Sequence, residues 1–326
     1  MSQSQLNSSK TPEEEVILFY RHAGLWLAGF SVLLAVVMVA ASDVRFDPRG
    51  SVVLSIMAAA GLLVSRLSWW TRRSPKKADA FGTLGQVWVA GVSCGLISLL
   101  GLRLQLPLVE HLLRNSDRMI GVEDIALVDW LSRMPDWLMT AMASAYSQTV
   151  PILFLSLAIL SILGDRLEVW RATFCFVGTL LSACLLSIAT PAKGLSVWAS
   201  DDIISRLPPQ SGRYFWATFD RFHGDAAPSI ALGSIDGVVS FPSFHVAMGL
   251  IVVAMWRRRP VPRVLAIAWL MLMLVATVPL GGHYVVDLLG GACIWACWFS
   301  LSRSAETLSI RESAKSLEPS FATAEA

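Results

Sequence analysis

The residues best suited to chemistry fall in two short stretches. In GGHYVVDLLGG, residues 281–291, His283 and Asp287 stand four apart, the spacing that puts two side chains on one face of a helix. A carboxylate that accepts a hydrogen bond from one imidazole nitrogen fixes the tautomer and supports positive charge on the ring. The other nitrogen is then a nucleophile or a base. Gly281 and Gly282 allow a tight entry turn where a ligand can approach the backbone. The second stretch, SFPSFHVAMGLIVVAMW at 240–256, sets Ser243 and His245 at the threshold of an apolar run. Pro242 suits the first turn of a helix. The amides of Ser243, Phe244 and His245 would then point outward at the positive end of the helix dipole, an end that binds phosphate. Ser243 adds a hydroxyl donor, and His245 a proton for a leaving oxygen. One helix start thus offers an anion cradle with an acid, and the other an oriented nucleophile. The pair suggests phosphoryl transfer through a phosphohistidine.

These residues need elements to hold them, and composition says what kind. The chain has 326 residues, 55% hydrophobic and 15% charged, with a mean hydropathy of +0.59. That is too apolar for a soluble domain and points to an all-α, polytopic membrane bundle. A spanning helix needs about 20 mostly apolar residues. Eight spans are read, at 24–41, 51–68, 83–101, 148–164, 170–190, 241–256, 262–280 and 283–301. Residues 1–23 and the tail 302–326 are polar and expected to be disordered. The net charge of +2, with no basic stripe interleaved with aromatics, gives no reason to expect nucleic acid. The five cysteines, Cys94, Cys175, Cys184, Cys293 and Cys297, all fall within spans and read as small packing residues, not metal ligands.

Orientation follows from basic residues in the short loops. The link 66–77, RLSWWTRRSPKK, holds five and 257–263, RRRPVPR, holds four. Both are expected in the cytoplasm with GDRLEVWR at 164–171, as are both termini. His245 and His283 then reach the outer boundary, beneath long outer segments at 102–147 and 191–240. In the first, VEDIALVDWLSRMPDWL reads as an interfacial helix with Trp130 and Trp137 at headgroup level. A connection as long as the second commonly folds over a site. Tyr284 reads as an interface anchor.

FPSFH followed by GGHYVVDLLGG resembles the second and third signatures of the type 2 phosphatidic acid phosphatase superfamily, Pro-Ser-x-His and a segment ending His-x-x-x-Asp. The resemblance covers roughly residues 83 to 301. It implies a six-helix core with no metal or other cofactor, leaving 24–82 as two accessory helices. It also implies His283 as nucleophile, Asp287 as its orienting partner, His245 as general acid and Ser243 as a phosphate ligand. Two positions depart from the pattern. Thr277 stands where the family carries an arginine six residues before the nucleophile. Of the first signature, Lys-x6-Arg-Pro, Lys193 lies at the start but Ser200 holds the arginine position. Threonine at 277, with Asp117 and Tyr146-Ser147 upstream, is similar to the branch related to inositolphosphorylceramide synthases. The substrate phosphate still needs a cation. Lys193, just outside the fifth span, is the first candidate and Arg221 the second; Arg206 and Arg213 follow.

The expected activity is hydrolysis of a lipid phosphate or diphosphate at the outer leaflet of a bacterial-type plasma membrane. Three alternatives stay open: a phosphotransferase passing the head group to a hydroxyl, an inactive lipid-binding or transport relative, and a metal hydrolase using His245, His283 and Asp287. Taken singly, each histidine reads equally well as a structural helix cap. Ionisable residues inside spans are functional candidates by default, and it is the joint placement of these with Ser243 that favours an enzyme.

Overall fold

The computed structural model describes residues 11–46, 63, 67, 73–224, 227–230, 238 and 240–317, with side chains to residue 308. The expected span at 51–68 lies, but for residues 63 and 67, outside the described residues. In chain order the helices are α1 (Pro12–Ala41), α2 (Pro75–Gly101), α3 (Glu110–Met119), α4 (Asp124–Ser132), α5 (Asp136–Ser147) and α6 (Thr149–Leu163). Then come α7 (Arg166–Ala189), α8 (Asp201–Ser205), α9 (Trp216–His223), α10 (Phe244–Met255), α11 (Pro260–Thr277) and α12 (Val285–Leu317). Two dipeptide strands, β1 (Arg45–Phe46) and β2 (Ser229–Ile230), pair in parallel with Arg45 opposite Ser229. The protein is an all-α polytopic bundle.

Both ends of the chain are more ordered than their polarity suggests. α1 starts well before residue 24 because Thr11 and Glu14 close a reciprocal capping box. Residues 12–23, expected to be disordered, are therefore helix. At the other end α12 continues past 301 to Leu317. The Tyr20 hydroxyl of α1 donates to the Ser302 carbonyl at 2.6 Å, and Arg171 pairs with Glu306, so tertiary contacts hold a segment whose own composition does not.

Among the described residues five helices are long and apolar enough to cross a membrane: Pro12–Ala41, Pro75–Leu104, Arg166–Ala189, Pro260–Thr277 and Val285–Leu308. α5 and α6 pass that test only together, bent by 55° about Gln148. The span expected at 241–256 is the shorter α10. Its 12 residues rise about 18 Å against a hydrocarbon core of about 30 Å. It begins late because Pro242 lies ahead of the cap residue Ser243, not in the first turn. α7 is the central post, packed by α1, α2, α10 and α12. Gly178 lets the Trp298 ring lie directly on its backbone, where a Cβ would collide.

The two ends of the bundle differ in character. At the start of α7, Glu168 is 3% exposed and meets Arg171 at 2.9 Å, Arg257 at 2.8 Å and Arg258 at 3.1 Å. Asp165 pairs with Arg259 at 2.7 Å, and Asp79 with Arg166. The basic residues of 164–171 and 257–259 therefore gather at one end, with Lys76 beside Gly164. At the other end residues from 109–146 and 192–207 build a second apolar core with the α11–α12 junction, including Leu113, Met142, Leu195, Ile203 and Leu280. The interfacial helix expected over 122–138 is divided into α4 and α5 with Pro135 between them; Trp130 and Trp137 are exposed. Tyr284 is no interface anchor. It is wholly buried in this second core, its hydroxyl accepting from the Trp198 indole at 2.8 Å.

Candidate active site

α12 begins at Val285, so His283 and Tyr284 lie just ahead of it and Asp287 sits in its first turn. Asp287 Oδ2 accepts from His283 Nδ1 at 3.1 Å, from the Tyr284 amide at 3.0 Å and from Ser240 Oγ at 3.3 Å. The Tyr284 bond is the return half of a capping box, an acid in the first turn reaching back to the residue before the helix. One carboxylate thus starts the helix and orients the imidazole. Asp287 is fully buried and His283 is 4% exposed. With Nδ1 engaged, Nε2 occupies the free edge of the ring.

The α10 start is locked to the same residue. The Ser243 amide donates to the Asp287 carbonyl at 2.9 Å and is therefore not free to bind an anion. The approach is close: a Cβ on Gly291 would run into the Ser243 carbonyl, and one on Gly290 would lie 2.8 Å from the Phe241 ring. These glycines went unread in the sequence because their need arises only where two distant segments touch. Ser243 holds the cap position, yet its hydroxyl makes no capping bond. Ser243 Oγ is buried and has no hydrogen-bond partner among the described residues. The first-turn amides that follow have no intrahelical acceptor by construction. The His245 ring stacks on Tyr146, with centroids 4.2 Å apart and planes 20° apart, and lies 6.4 Å from the His283 ring.

Asp117, on α3, takes the amides at the start of α12. It is fully buried and accepts from Val285 N at 2.9 Å and Val286 N at 2.7 Å. Burial pushes its carboxyl up, against these two bonds, which favour the ionised form. The anion-binding end of α12 is therefore occupied by the Asp117 carboxylate, whereas among the described residues no side chain caps the start of α10. Nor does Gly282 open the backbone to a ligand: the outer segment fills the space beside it. Leu195 N donates to Gly282 O at 2.6 Å and Gly212 N to Leu280 O at 2.7 Å; Gly282, at φ +72°, faces Gly212.

The structure brings His283, Asp287, Ser243 and His245 together. The candidate cations are placed differently. Lys193 pairs with Asp220 across 2.5 Å, its ammonium 5.6 Å from the centre of the Trp216 ring. Arg221 lies on the exposed face of α9. Arg206 is held by Asp129 and Asp202. Arg213 lies over Trp216 and donates to the Ser196 carbonyl at 3.3 Å. Thr277 is fully buried and its hydroxyl turns back to the Met273 carbonyl, while Ser200 caps α8. Among the described residues no group of three or more His, Cys, Asp or Glu is arranged to hold a metal ion.

A family model described as the PAP2 superfamily matches residues 111–301, more than half of the chain. The chain belongs to this superfamily, the type 2 phosphatidic acid phosphatases. No curated protein and no solved structure matches it. PAP2 membership together with the apolar helices makes it an integral membrane protein with phosphatase- or phosphotransferase-type chemistry on a lipid phosphate. The matched region opens at α3 and so takes in Asp117 with both histidine motifs. Replacing Asp117 by alanine orphans two amides, at about 1–3 kcal/mol each. We expect Asp117→Ala to lower stability in detergent by that order and Asp117→Asn, which keeps one carbonyl acceptor, to lower it less. Equal stability of both variants and wild type in denaturant titrations would show that the cap contributes nothing.

Proposed function

We propose that this PAP2 protein is a phosphatase acting on a lipid phosphate or diphosphate through a phosphohistidine on His283. The observation that carries the reading is the uncapped start of α10. There a buried Ser243 hydroxyl without a partner and unsatisfied first-turn amides adjoin a histidine whose other nitrogen is already fixed by a carboxylate.

In this mechanism the substrate phosphoryl oxygens take the Ser243 hydroxyl and the α10 amides. His283 Nε2 attacks phosphorus while Asp287 offsets the positive charge that grows on the ring. His245, protonated, gives its proton to the departing oxygen as the phosphorus–oxygen bond breaks. Water then attacks the phosphohistidine, His245 takes the proton back, and inorganic phosphate leaves. If an acceptor hydroxyl replaces water the same residues perform a transfer, so product analysis with and without candidate alcohols separates the two. His283→Ala removes the atom that bonds phosphorus and should abolish turnover of short-chain phosphatidate without changing expression or melting. Wild-type turnover should survive EDTA and be inhibited by vanadate, which takes up a five-coordinate form like the transition state. Multiple turnover in His283→Ala would defeat the covalent mechanism. Loss in EDTA with recovery on adding zinc would favour the metal hydrolase.

The missing family arginine is proposed to be replaced from the outer segment. Lys193 comes first, since its neighbour Gly194 packs on Gly282 and its ammonium can exchange Asp220 for phosphate. Arg221 is second. Removing a ligand that acts mainly in the transition state lowers kcat by on the order of a hundredfold. Lys193→Ala should lose that much, and Arg221→Ala as much or less. Wild-type kinetics in both would move the assignment to Arg213 or Arg206.

The proposed orientation puts the site outside and the termini inside, in the plasma membrane of a bacterial-type cell. It is supported by the gathering of basic loops at the opposite end of the bundle. In a background lacking Cys293 and Cys297, Gln210→Cys should react with an impermeant thiol reagent from outside and Arg258→Cys should not. The reverse pattern would invert the topology.

A further inference from the structure

Tyr146 is not part of either histidine motif, yet it touches both. It closes α5 at the 55° bend into α6, and the Thr149 hydroxyl bonds its carbonyl at 2.8 Å. Its ring lies on His245 at 4.2 Å, close to parallel. His283 has a carboxylate to fix its ring; the contact that orients His245 is this stack. Offset stacking of aromatic rings contributes about 0.5–1.5 kcal/mol and holds the plane of the partner.

The phenol oxygen then reaches the second motif. It is buried and makes no hydrogen bond of normal geometry, with Tyr214 its polar neighbour. A Cβ on Gly281 would lie 2.8 Å from that oxygen and 2.8 Å from His283 Cδ2. The hydroxyl and the imidazole edge therefore both flank Gly281, together with the Thr277 carbonyl, which would lie 2.6 Å from the same Cβ. Cδ2 is bonded to Nε2, so the hydroxyl is on the side of the ring that carries the nitrogen Asp287 leaves free. Thr277, whose hydroxyl is spent on Met273, contributes no donor there. A buried hydroxyl at that edge, whose one polar neighbour is another phenol, is placed to turn to a bound phosphoryl group.

We propose that Tyr146 is a catalytic residue with two duties: its ring orients His245, and its hydroxyl donates to a phosphoryl oxygen of the group attacked by His283. The assignment rests on the reading of His283 as nucleophile. A tyrosine that only filled core space would need the ring and not the oxygen, and this difference is measurable.

The experiment compares wild type, Tyr146→Phe and Tyr146→Leu, using dihexanoyl phosphatidate turnover and orthovanadate binding, with melting temperature as the folding control. Tyr146→Phe keeps the stack and the volume. Loss of one preorganised donor should lower its kcat at least tenfold. Its KM should stay within about threefold and vanadate affinity should fall at least tenfold. Tyr146→Leu, which also frees His245, should fall a further tenfold or more in kcat. A Phe variant closer to wild type than tenfold in kcat, or changed in KM alone, overturns the donor role. A folded Leu variant equal to Phe overturns the orienting role; if Leu does not fold, Tyr146→Phe alone decides the proposal. Wild type that neither turns over phosphatidate nor binds vanadate, or activity retained in His283→Ala, overturns the reading beneath the assignment, and the assignment with it.

Discussion

Asp287 is the residue on which the geometry of the site depends. Its side-chain oxygen gathers His283, the Tyr284 amide and Ser240, and its backbone carbonyl takes the Ser243 amide. A fully buried carboxylate is costly unless it is hydrogen-bonded and paired, so each of these donors is required by the charge as much as the charge is required by them. The same residue therefore fixes the tautomer of one motif and the position of the other. Gly290 and Gly291 follow from this: the loop carrying Ser243 must lie directly on α12, and no larger residue leaves room for it.

A second consequence concerns where an anion can bind. Two helix starts face the site, but Asp117 fills the one at Val285, while at α10 the cap hydroxyl makes no bond to its own helix. In the proposed mechanism this asymmetry would direct a phosphoryl group toward Ser243 and His245, with His283 beside it as the attacking group. The outer segments contribute by enclosure. Leu195 and Gly212 bond to the turn before His283, so the second apolar core and the His283 turn share a support. At the far end, the Glu168 cluster joins the starts of α7 and α11 and keeps the charge of the basic loops away from the chemistry.

The part of this that the sequence shows is the part written in local spacing. Four residues separate His283 from Asp287, and two separate Ser243 from His245; apolar runs mark α1, α2, α7, α11 and α12. What spacing does not carry is any contact made across the fold. Asp117 meets Val285 from 168 positions away, and Tyr146 meets His245 across a bend whose only local sign is an apolar run too polar at one end. Pro242 read as a first-turn residue and proved to precede the cap, which shortened α10. The terminal helices extended because a capping box at Thr11 and a hydrogen bond at Ser302 outweighed polar composition. Lys193 was legible as a candidate cation; its pairing with Asp220 was not, since the two meet only when α9 folds back.

The account turns on a covalent bond between phosphorus and His283. The most direct measurement is rapid quench of the purified protein with phosphorus-labelled short-chain phosphatidate, followed by peptide mapping. The result predicted is acid-labile, base-stable label on the peptide containing His283, absent from His283→Ala. Turnover without such label, or label on Ser243 instead, would contradict it.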